Sequence, residues 1–186
     1  MSQFNRFRSI YTADELRERL RRIRHVALDM DGTIYMGMSL FSCTKPFLSG
    51  LKELGISYSF LTNNPSKSID DYLHKLSKLG IEATREEMYT TALATIDYIK
   101  TNLPQARRLF LLGTPSMISE FEKAGFVSTG DDPDDVPDAI VAAFDMTLSY
   151  DRLCRAAWWI SQGVPYIATN PDRVCPTDQR VVLVDC

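Results

Sequence analysis

Short apolar runs alternate with helix-like segments along most of this chain. Val26–Leu28 and Ile56–Leu61 are runs of strand length, and each precedes a segment with helical spacing that stops at a glycine, Gly55 or Gly80. Strands that alternate with helices are joined by crossovers, so that successive strands run in one direction. The pattern therefore predicts an α/β fold built on a parallel sheet.

A second round of alternation follows the short strand-like segment Glu87–Thr91. It contains apolar runs at Leu109–Leu112 and Ala139–Phe144, with helical spacing before, between and after them. We therefore expect two units, residues 1–91 and residues 92–186.

Charge limits what the chain can bind. The chain has 186 residues, with 21 Lys and Arg against 24 Asp and Glu, and its net charge of −3 gives no overall attraction for nucleic acid. Arginines are concentrated in the first 24 residues, and the capping-box spacing of Thr12–Glu15 predicts a solvated basic helix at Ala13–Arg24; a polyanion-binding arm is the alternative. The acidic segment Asp131–Asp138 reads as a solvated turn, with a divalent-ion site as the alternative, because its spacing does not match a calcium loop.

Apolar runs and cysteines indicate the compartment. No apolar run reaches membrane-spanning length, so no membrane partner is expected, and the N-terminus has no apolar signal-peptide core. The four cysteines form no C-x-x-C pair and there are two histidines, which excludes zinc-ligand spacing. A reduced, cytoplasmic protein is the expectation.

Two aspartates stand directly after the first apolar run. Asp29 and Asp31 open the segment Asp29–Thr33, in which Gly32 allows a tight turn away from the sheet. Ligands of open α/β sheets bind beyond the carboxyl ends of the strands. Two carboxylates there repel each other, and a bound cation relieves the repulsion. Mg²⁺ suits the site because it takes oxygen ligands, often one or two carboxylates plus substrate phosphate.

A hydroxyl and an amide side chain follow the second apolar run. Thr62 and Asn63 precede Pro65, and this order predicts a helix over 66–79 with Asn64 as its cap. A helix N-terminus offers free N–H groups and a partial positive charge, both of which favour a phosphate. Thr62 and Asn63 are therefore candidate phosphate-binding residues.

These segments resemble a known family. Asp29–Thr33 followed by Leu61–Asn64 is similar to the first two motifs of haloacid dehalogenase-like phosphohydrolases. The segment Leu61–Ser68 resembles the para-nitrophenyl phosphatase or NagD-like subfamily, and Ala142–Leu153 and Ala168–Pro176 add to that match.

The resemblance implies a role for each candidate residue. Asp29 would be the nucleophile that becomes an aspartyl phosphate. Asp31 would protonate the leaving alcohol and then deprotonate the attacking water. Asp29 and Asp31, the latter through its main-chain carbonyl, would hold Mg²⁺, and Thr62 and Asn63 would bind the phosphoryl oxygens.

The resemblance also implies an organisation and a class of substrate. Residues 1–91 would be the N-terminal part of a Rossmann-like core, and residues 92–186 would be an α/β cap inserted after the third strand. Asp145 and Asp172 would lie in the cap, where the leaving group of a small phosphorylated metabolite is selected; a structural role is the alternative for both. A homodimer formed through the cap is a further implication.

Two motifs of that family have no match in this sequence. One is a lysine after the cap, and the other is an acidic pair that completes the Mg²⁺ site; the last lysine here is Lys123. We therefore expect an N-terminal portion of a longer phosphatase, with reduced activity and with the strand before Asp29 left at a bare sheet edge. A non-catalytic phosphate-binding or scaffold protein of the same fold is the alternative.

Overall fold

The computed structural model describes residues 10–130, 132–175 and 183–184. Its strands in chain order are β1 (His25–Asp29), β2 (Tyr35–Met36), β3 (Ser39–Leu40), β4 (Ser57–Thr62), β5 (Met88–Thr90), β6 (Arg108–Leu112), β7 (Val127–Ser128), β8 (Ala139–Ala142), β9 (Tyr166–Ala168), β10 (Val174–Cys175) and β11 (Leu183–Val184). Its helices are α1 (Ala13–Arg21), α2 (Thr44–Glu53), α3 (Ile69–Lys78), α4 (Thr91–Asn102), α5 (Pro115–Lys123) and α6 (Tyr150–Ser161). A single 3₁₀ turn at Arg85–Glu87 precedes β5.

The first sheet brings the predicted motifs to one edge. Its strands are parallel in the order β1-β4-β5, so β1 is an edge strand among the residues described. Asp29 is in register with Leu61, and Thr62 is in register with Thr90. Because parallel strands end at the same side of a sheet, the segments after β1 and β4 emerge next to each other.

The second sheet is also parallel, in the order β7-β6-β8-β9. Its central strands β6 and β8 are apolar and buried, as expected for strands that are covered on both faces. Met117 and Phe121 of α5 belong to one of the two apolar clusters around it, and Trp159 of α6 belongs to the other. The two sheets confirm the predicted α/β fold with parallel sheets.

A separate apolar cluster holds α3 against the first sheet. Phe60 of β4 and Leu76 of α3 have no exposed surface, and Tyr72 of α3 is 1% exposed. Full burial of one such side chain contributes about 1.5–3 kcal/mol. This packing fixes α3 relative to the loop that follows β4.

The start of α3 differs from the prediction. The helix begins at Ile69, and its cap is Ser68, not Asn64. Ser68 and Asp71 form a capping box, in which the Ser68 side chain accepts from the Asp71 N–H and Asp71 accepts from the Ser68 N–H. Asn64 instead accepts from the Ser66 N–H within a turn, which keeps the chain non-helical. The helix N-terminus therefore does not follow Asn63 directly.

A hairpin of β2 and β3 follows the Asp29–Thr33 segment, and the alternation pattern does not predict it. It begins with Tyr35, which has no exposed surface and whose carbonyl accepts from the Gly32 N–H at 2.8 Å. The hairpin thus anchors the turn that carries Asp31.

Four charged side chains join the two units in a ring of alternating sign. Asp70 of α3 contacts Arg85 at 2.5 Å and Lys123 of α5 at 3.1 Å. Glu120 of α5 contacts the same two cations, Lys123 at 3.2 Å and Arg85 at 3.7 Å. Glu120 is 5% exposed, whereas the two cations are about half exposed. The ring therefore ties α5 of the second unit to α3 and the 3₁₀ turn of the first.

The N-terminal helix and the acidic segment have structural contacts. α1 has the predicted capping box of Thr12 and Glu15 and buries none of its residues. In the acidic segment, Asp138 accepts from the N–H groups of Arg107 at 2.7 Å and Arg108 at 2.8 Å; Asp131 lies outside the described residues. The N–H donors hold the pKa of Asp138 below its ordinary value.

None of the helices among the described residues is long and apolar enough to cross a membrane.

Candidate active site

Four of the predicted residues line one cleft at the carboxyl edge of the first sheet. Asp29, Asp31, Thr62 and Asn63 line a cavity of about 500 Å³, together with Leu61 and the segment from β5 into α4. The first sheet explains the arrangement, because β1 and β4 end side by side. The four predicted residues therefore bring two carboxylates, a hydroxyl and an amide to the cleft.

A hydrogen bond orients the Asp29 side chain. The Thr33 hydroxyl donates to Asp29 Oδ2 at 2.6 Å. The contact requires the chain to reverse within four residues, and Gly32 at φ +85° provides that reversal. The hydrogen bond therefore fixes one oxygen of the Asp29 carboxylate, and Asp29 lines the cleft.

Asp31 is held by two residues that the sequence reasoning missed. The Tyr35 hydroxyl donates to Asp31 Oδ2 at 3.1 Å, and Lys75 Nζ lies 3.4 Å from Asp31 Oδ1. The Lys75 ammonium also lies 3.7 Å from the centre of the Tyr35 ring, a cation–π contact. A signal was present: Lys75 follows the buried Tyr72 by three residues, so it lies beside the apolar face of α3.

The pKa values of these two partners are perturbed. Burial raises the pKa of Tyr35, and the nearby Asp31 carboxylate adds to the rise. Burial lowers the pKa of Lys75 against the opposing attraction of Asp31, and the nearby Lys67 lowers it further. The tyrosine therefore stays a hydroxyl donor in the neutral range.

Thr62 and Asn63 are fixed in different ways. Thr62 is 6% exposed, and its hydroxyl accepts from the Asn64 N–H at 3.2 Å. The Asn63 main-chain carbonyl accepts from Thr91 Oγ1 at 3.2 Å and from Asn170 Nδ2 at 2.8 Å. The loop after β4 is therefore anchored from both units.

The two candidate residues of the second unit have different surroundings. The Asp172 carboxylate accepts from the Asn63 side-chain amide, so the turn at 170–172 reaches the cleft. The Asp145 side chain is 2% exposed and pairs with Arg152 at 3.1 Å, and it accepts from the Thr147 hydroxyl at 2.6 Å. Asp145 is not among the described residues that line the cleft.

The donor set at the cleft fits Mg²⁺ in part. Asp29 offers a carboxylate and Asp31 a main-chain carbonyl on one turn, and Mg²⁺ is commonly bound by one or two carboxylates plus substrate phosphate. In the part of the chain that the structure describes, no cluster of three or more His, Cys, Asp or Glu side chains is suited to a metal ion. The remaining ligands would have to be main-chain oxygen, water and substrate.

Comparisons with known proteins find phosphatases. The acid sugar phosphatase of Staphylococcus aureus is 32% identical over 163 residues, which is 88% of this chain and 61% of that protein. The crystal structure of a 4-nitrophenylphosphatase from Thermotoga maritima matches with a TM-score of 0.82 at 36% identity, covering 89% of this chain and 61% of that one. The crystal structure of glycerol phosphate phosphatase from Mycobacterium tuberculosis in complex with magnesium matches with a TM-score of 0.78 at 29% identity, covering 87% and 48% of the two chains.

The share of each protein that these matches cover limits what they show about this chain. The chain spans less than two thirds of the length of these relatives. The family model of haloacid dehalogenase-like hydrolases matches residues 26–127, which is more than half of the chain and includes Asp29, Asp31, Thr62 and Asn63. The predicted resemblance to that family and to its para-nitrophenyl phosphatase members is therefore confirmed. The chain belongs to the haloacid dehalogenase-like hydrolases.

Proposed function

We propose that the cleft hydrolyses phosphomonoesters through an aspartyl-phosphate intermediate on Asp29. The observation that carries the proposal is the meeting of Asp29, Asp31, Thr62 and Asn63 in one cleft, within the segment that matches the family. The names of the relatives support the same class of reaction.

The proposed chemistry has two displacements. In the first, an Asp29 carboxylate oxygen bonds to phosphorus and the ester P–O bond breaks, while Asp31 in its acid form gives a proton to the leaving alcohol. In the second, water attacks the phosphorus of the aspartyl phosphate, and Asp31 takes a proton from that water. The bond between phosphorus and Asp29 then breaks, which releases inorganic phosphate and restores both carboxyl groups.

The other cleft residues serve the phosphoryl group. Thr62 and Asn63 have the hydroxyl and amide donors that its charged oxygens require. Asp29 and the main-chain carbonyl of Asp31 would hold Mg²⁺, whose positive charge offsets the negative charge of the phosphoryl group and the carboxylates. The magnesium complex of the glycerol phosphate phosphatase supports the choice of ion.

The proposed substrate is a small phosphorylated metabolite, with sugar phosphates the first class to test because of the Staphylococcus relative. In this proposal residues 92–186 are the cap, which contains the second sheet, α5, α6 and all of α4 after its first residue. Asp172 would contact the leaving group, since it lies next to Asn63. The corresponding role of Asp145 stays a prediction, and its buried pairing with Arg152 favours a structural role.

We also propose a reduced rate for these 186 residues. The described residues that line the cleft include no lysine or arginine, and Lys75, which contacts Asp31, is not among them. One preorganised charge at a developing anion is typically worth about 10²–10³ in rate.

A homodimer through the second unit and a cytoplasmic location are the remaining parts of the proposal.

The test is turnover of p-nitrophenyl phosphate by the 186-residue chain with Mg²⁺. Asp29→Asn should abolish turnover, because the amide is a poor nucleophile, whereas Asp97→Asn on α4, which removes one carboxylate outside the residues lining the cleft, should leave it unchanged. Turnover that survives Asp29→Asn would refute the proposal. Phosphate binding without any turnover would support the scaffold alternative instead.

A further inference from the structure

The second carboxylate of the cleft is held from both of its oxygens. Tyr35 Oη lies 3.1 Å from Asp31 Oδ2, and Lys75 Nζ lies 3.4 Å from Asp31 Oδ1. The donors come from separate elements, Tyr35 from β2 and Lys75 from α3. A carboxylate bonded at both oxygens cannot rotate about its terminal bond without losing a contact.

The two donors are themselves largely buried. Tyr35 has no exposed surface and belongs to the apolar cluster of the first sheet. The Lys75 side chain is 12% exposed, although lysines are rarely buried, and its ammonium lies 3.7 Å from the Tyr35 ring centre. The entropy of ordering these side chains is therefore lost on folding and not when substrate binds.

Asp31 nevertheless remains open to the cleft. Its side chain is 41% exposed and lines the same cavity as Asp29. A group that exchanges a proton with substrate must be both reachable and correctly aimed, since proton transfer requires hydrogen-bond distance. The contacts with Tyr35 and Lys75 fix the direction of the Asp31 carboxylate and leave it reachable.

We propose that Tyr35 and Lys75 are positioning residues that aim Asp31 at the oxygen of the leaving group. The inference rests on the proposed phosphatase function and adds two residues to it. Neither residue exchanges a proton with the substrate; both act through the orientation of Asp31. Lys75 also places one positive charge beside Asp31.

The substrates for the test differ in how much they need an acid. p-Nitrophenolate leaves as a stable anion without protonation, whereas the alkoxide of glycerol 2-phosphate must be protonated as it leaves. General acid catalysis typically contributes about 10²–10⁴-fold to a rate. The contribution should be largest for the alkyl ester, because its leaving group is the more basic one. A misdirected Asp31 should therefore slow the alkyl ester selectively.

The experiment measures single-turnover rates of the 186-residue chain in excess over each substrate, which registers slow reactions. Lys75→Met should slow the hydrolysis of glycerol 2-phosphate by about tenfold or more, because part of the general acid contribution is lost. The hydrolysis of p-nitrophenyl phosphate should slow far less. Tyr35→Phe, which keeps the ring and its packing, should show the same selectivity. Lys75→Arg should restore the rate, and Lys78→Met, an exposed lysine one turn along α3, is the matched control.

Double variants show whether Lys75 orients Asp31 or only supports the fold. In an Asp31→Asn background, Lys75→Met should cause no further loss, because both changes remove the same contribution. The inference would be overturned if Lys75→Met slowed both substrates equally. It would also be overturned if the rate losses of Lys75→Met and Asp31→Asn multiplied in the double variant. Asp29→Asn tests the phosphatase proposal separately from the positioning role. If this variant leaves the rates unchanged, the phosphatase proposal fails. If it abolishes them, the Lys75 results test the positioning role alone.

Discussion

The charge ring between the two units gives a quantitative prediction. Glu120→Gln keeps the size of the side chain, removes its charge and replaces one acceptor oxygen by an amide donor. The lost contacts are those to Lys123 at 3.2 Å and to Arg85 at 3.7 Å. The change therefore tests the two ionic contacts of Glu120, one across to Arg85 and one within α5 to Lys123.

The magnitude follows from unequal burial of the partners. Glu120 is 5% exposed, but Arg85 and Lys123 are 45% and 51% exposed, so both cations regain water when the anion is lost. Breaking a fully buried pair costs about 3–5 kcal/mol, and an exposed pair contributes about 0–1 kcal/mol. We expect an intermediate loss of about 1–2 kcal/mol in the free energy of unfolding.

The assay is urea unfolding with a matched control. With a slope of about 2 kcal/mol per molar, the expected loss lowers the urea midpoint by about 0.5–1 M. Glu122→Gln on the same helix is the control, because Glu122 is exposed and lies outside the ring. High salt should shrink the difference between the variants, because the cations are half exposed. The reasoning is refuted if the two variants unfold within about 0.5 kcal/mol of each other, the range of ordinary surface changes.

Three further predictions concern a cap, a titration and the metal. Ser68→Ala should lower the free energy of unfolding by about 1 kcal/mol through loss of the α3 cap, measured by urea unfolding; no change would contradict the capping box. The Lys123 contact lowers the pKa of Asp70, so its stabilisation should be present above the ordinary aspartate value near 3.9 and be lost as the pH falls below it. Asp70→Asn should therefore flatten the acid limb of a stability–pH curve. Removal of Mg²⁺ with EDTA should abolish turnover and added Mg²⁺ should restore it; turnover that persists in EDTA would contradict the proposed metal requirement.

The sequence predicted the fold well where one local signal dominated. Val26–Leu28 and Ile56–Leu61 are apolar runs bounded by polar residues, and both correspond to strands of the first sheet. Glycines end α2 and α3, because Gly55 and Gly80 adopt positive φ after the last helical turn. The parallel order then follows from the crossover helices.

The sequence failed where two local signals competed. Asn64 and Pro65 form a plausible helix start, but Ser68 and Asp71 form a complete capping box four residues later, and α3 begins there. The β2–β3 hairpin has strands of two residues, too short to show a periodic pattern.

Contacts across the chain could not be read from local patterns. Lys75 follows Asp31 by 44 residues, and Asp172 follows Asn63 by 109, so only the packing of α3 and of the second unit brings each pair together. The motif spacing nevertheless selected Asp29, Asp31, Thr62 and Asn63, which line one cleft. Their site was predictable because strand ends in a parallel sheet share an edge.

The central claim is that Asp29 becomes phosphorylated. The most direct measurement is borohydride trapping during reaction with a phosphomonoester and Mg²⁺, which reduces an aspartyl phosphate to homoserine, followed by tandem mass spectrometry of the peptides. We predict homoserine at position 29, dependent on substrate and not seen at the neighbouring Asp31. Turnover with an unmodified Asp29, or with the modification at another carboxylate, would contradict it.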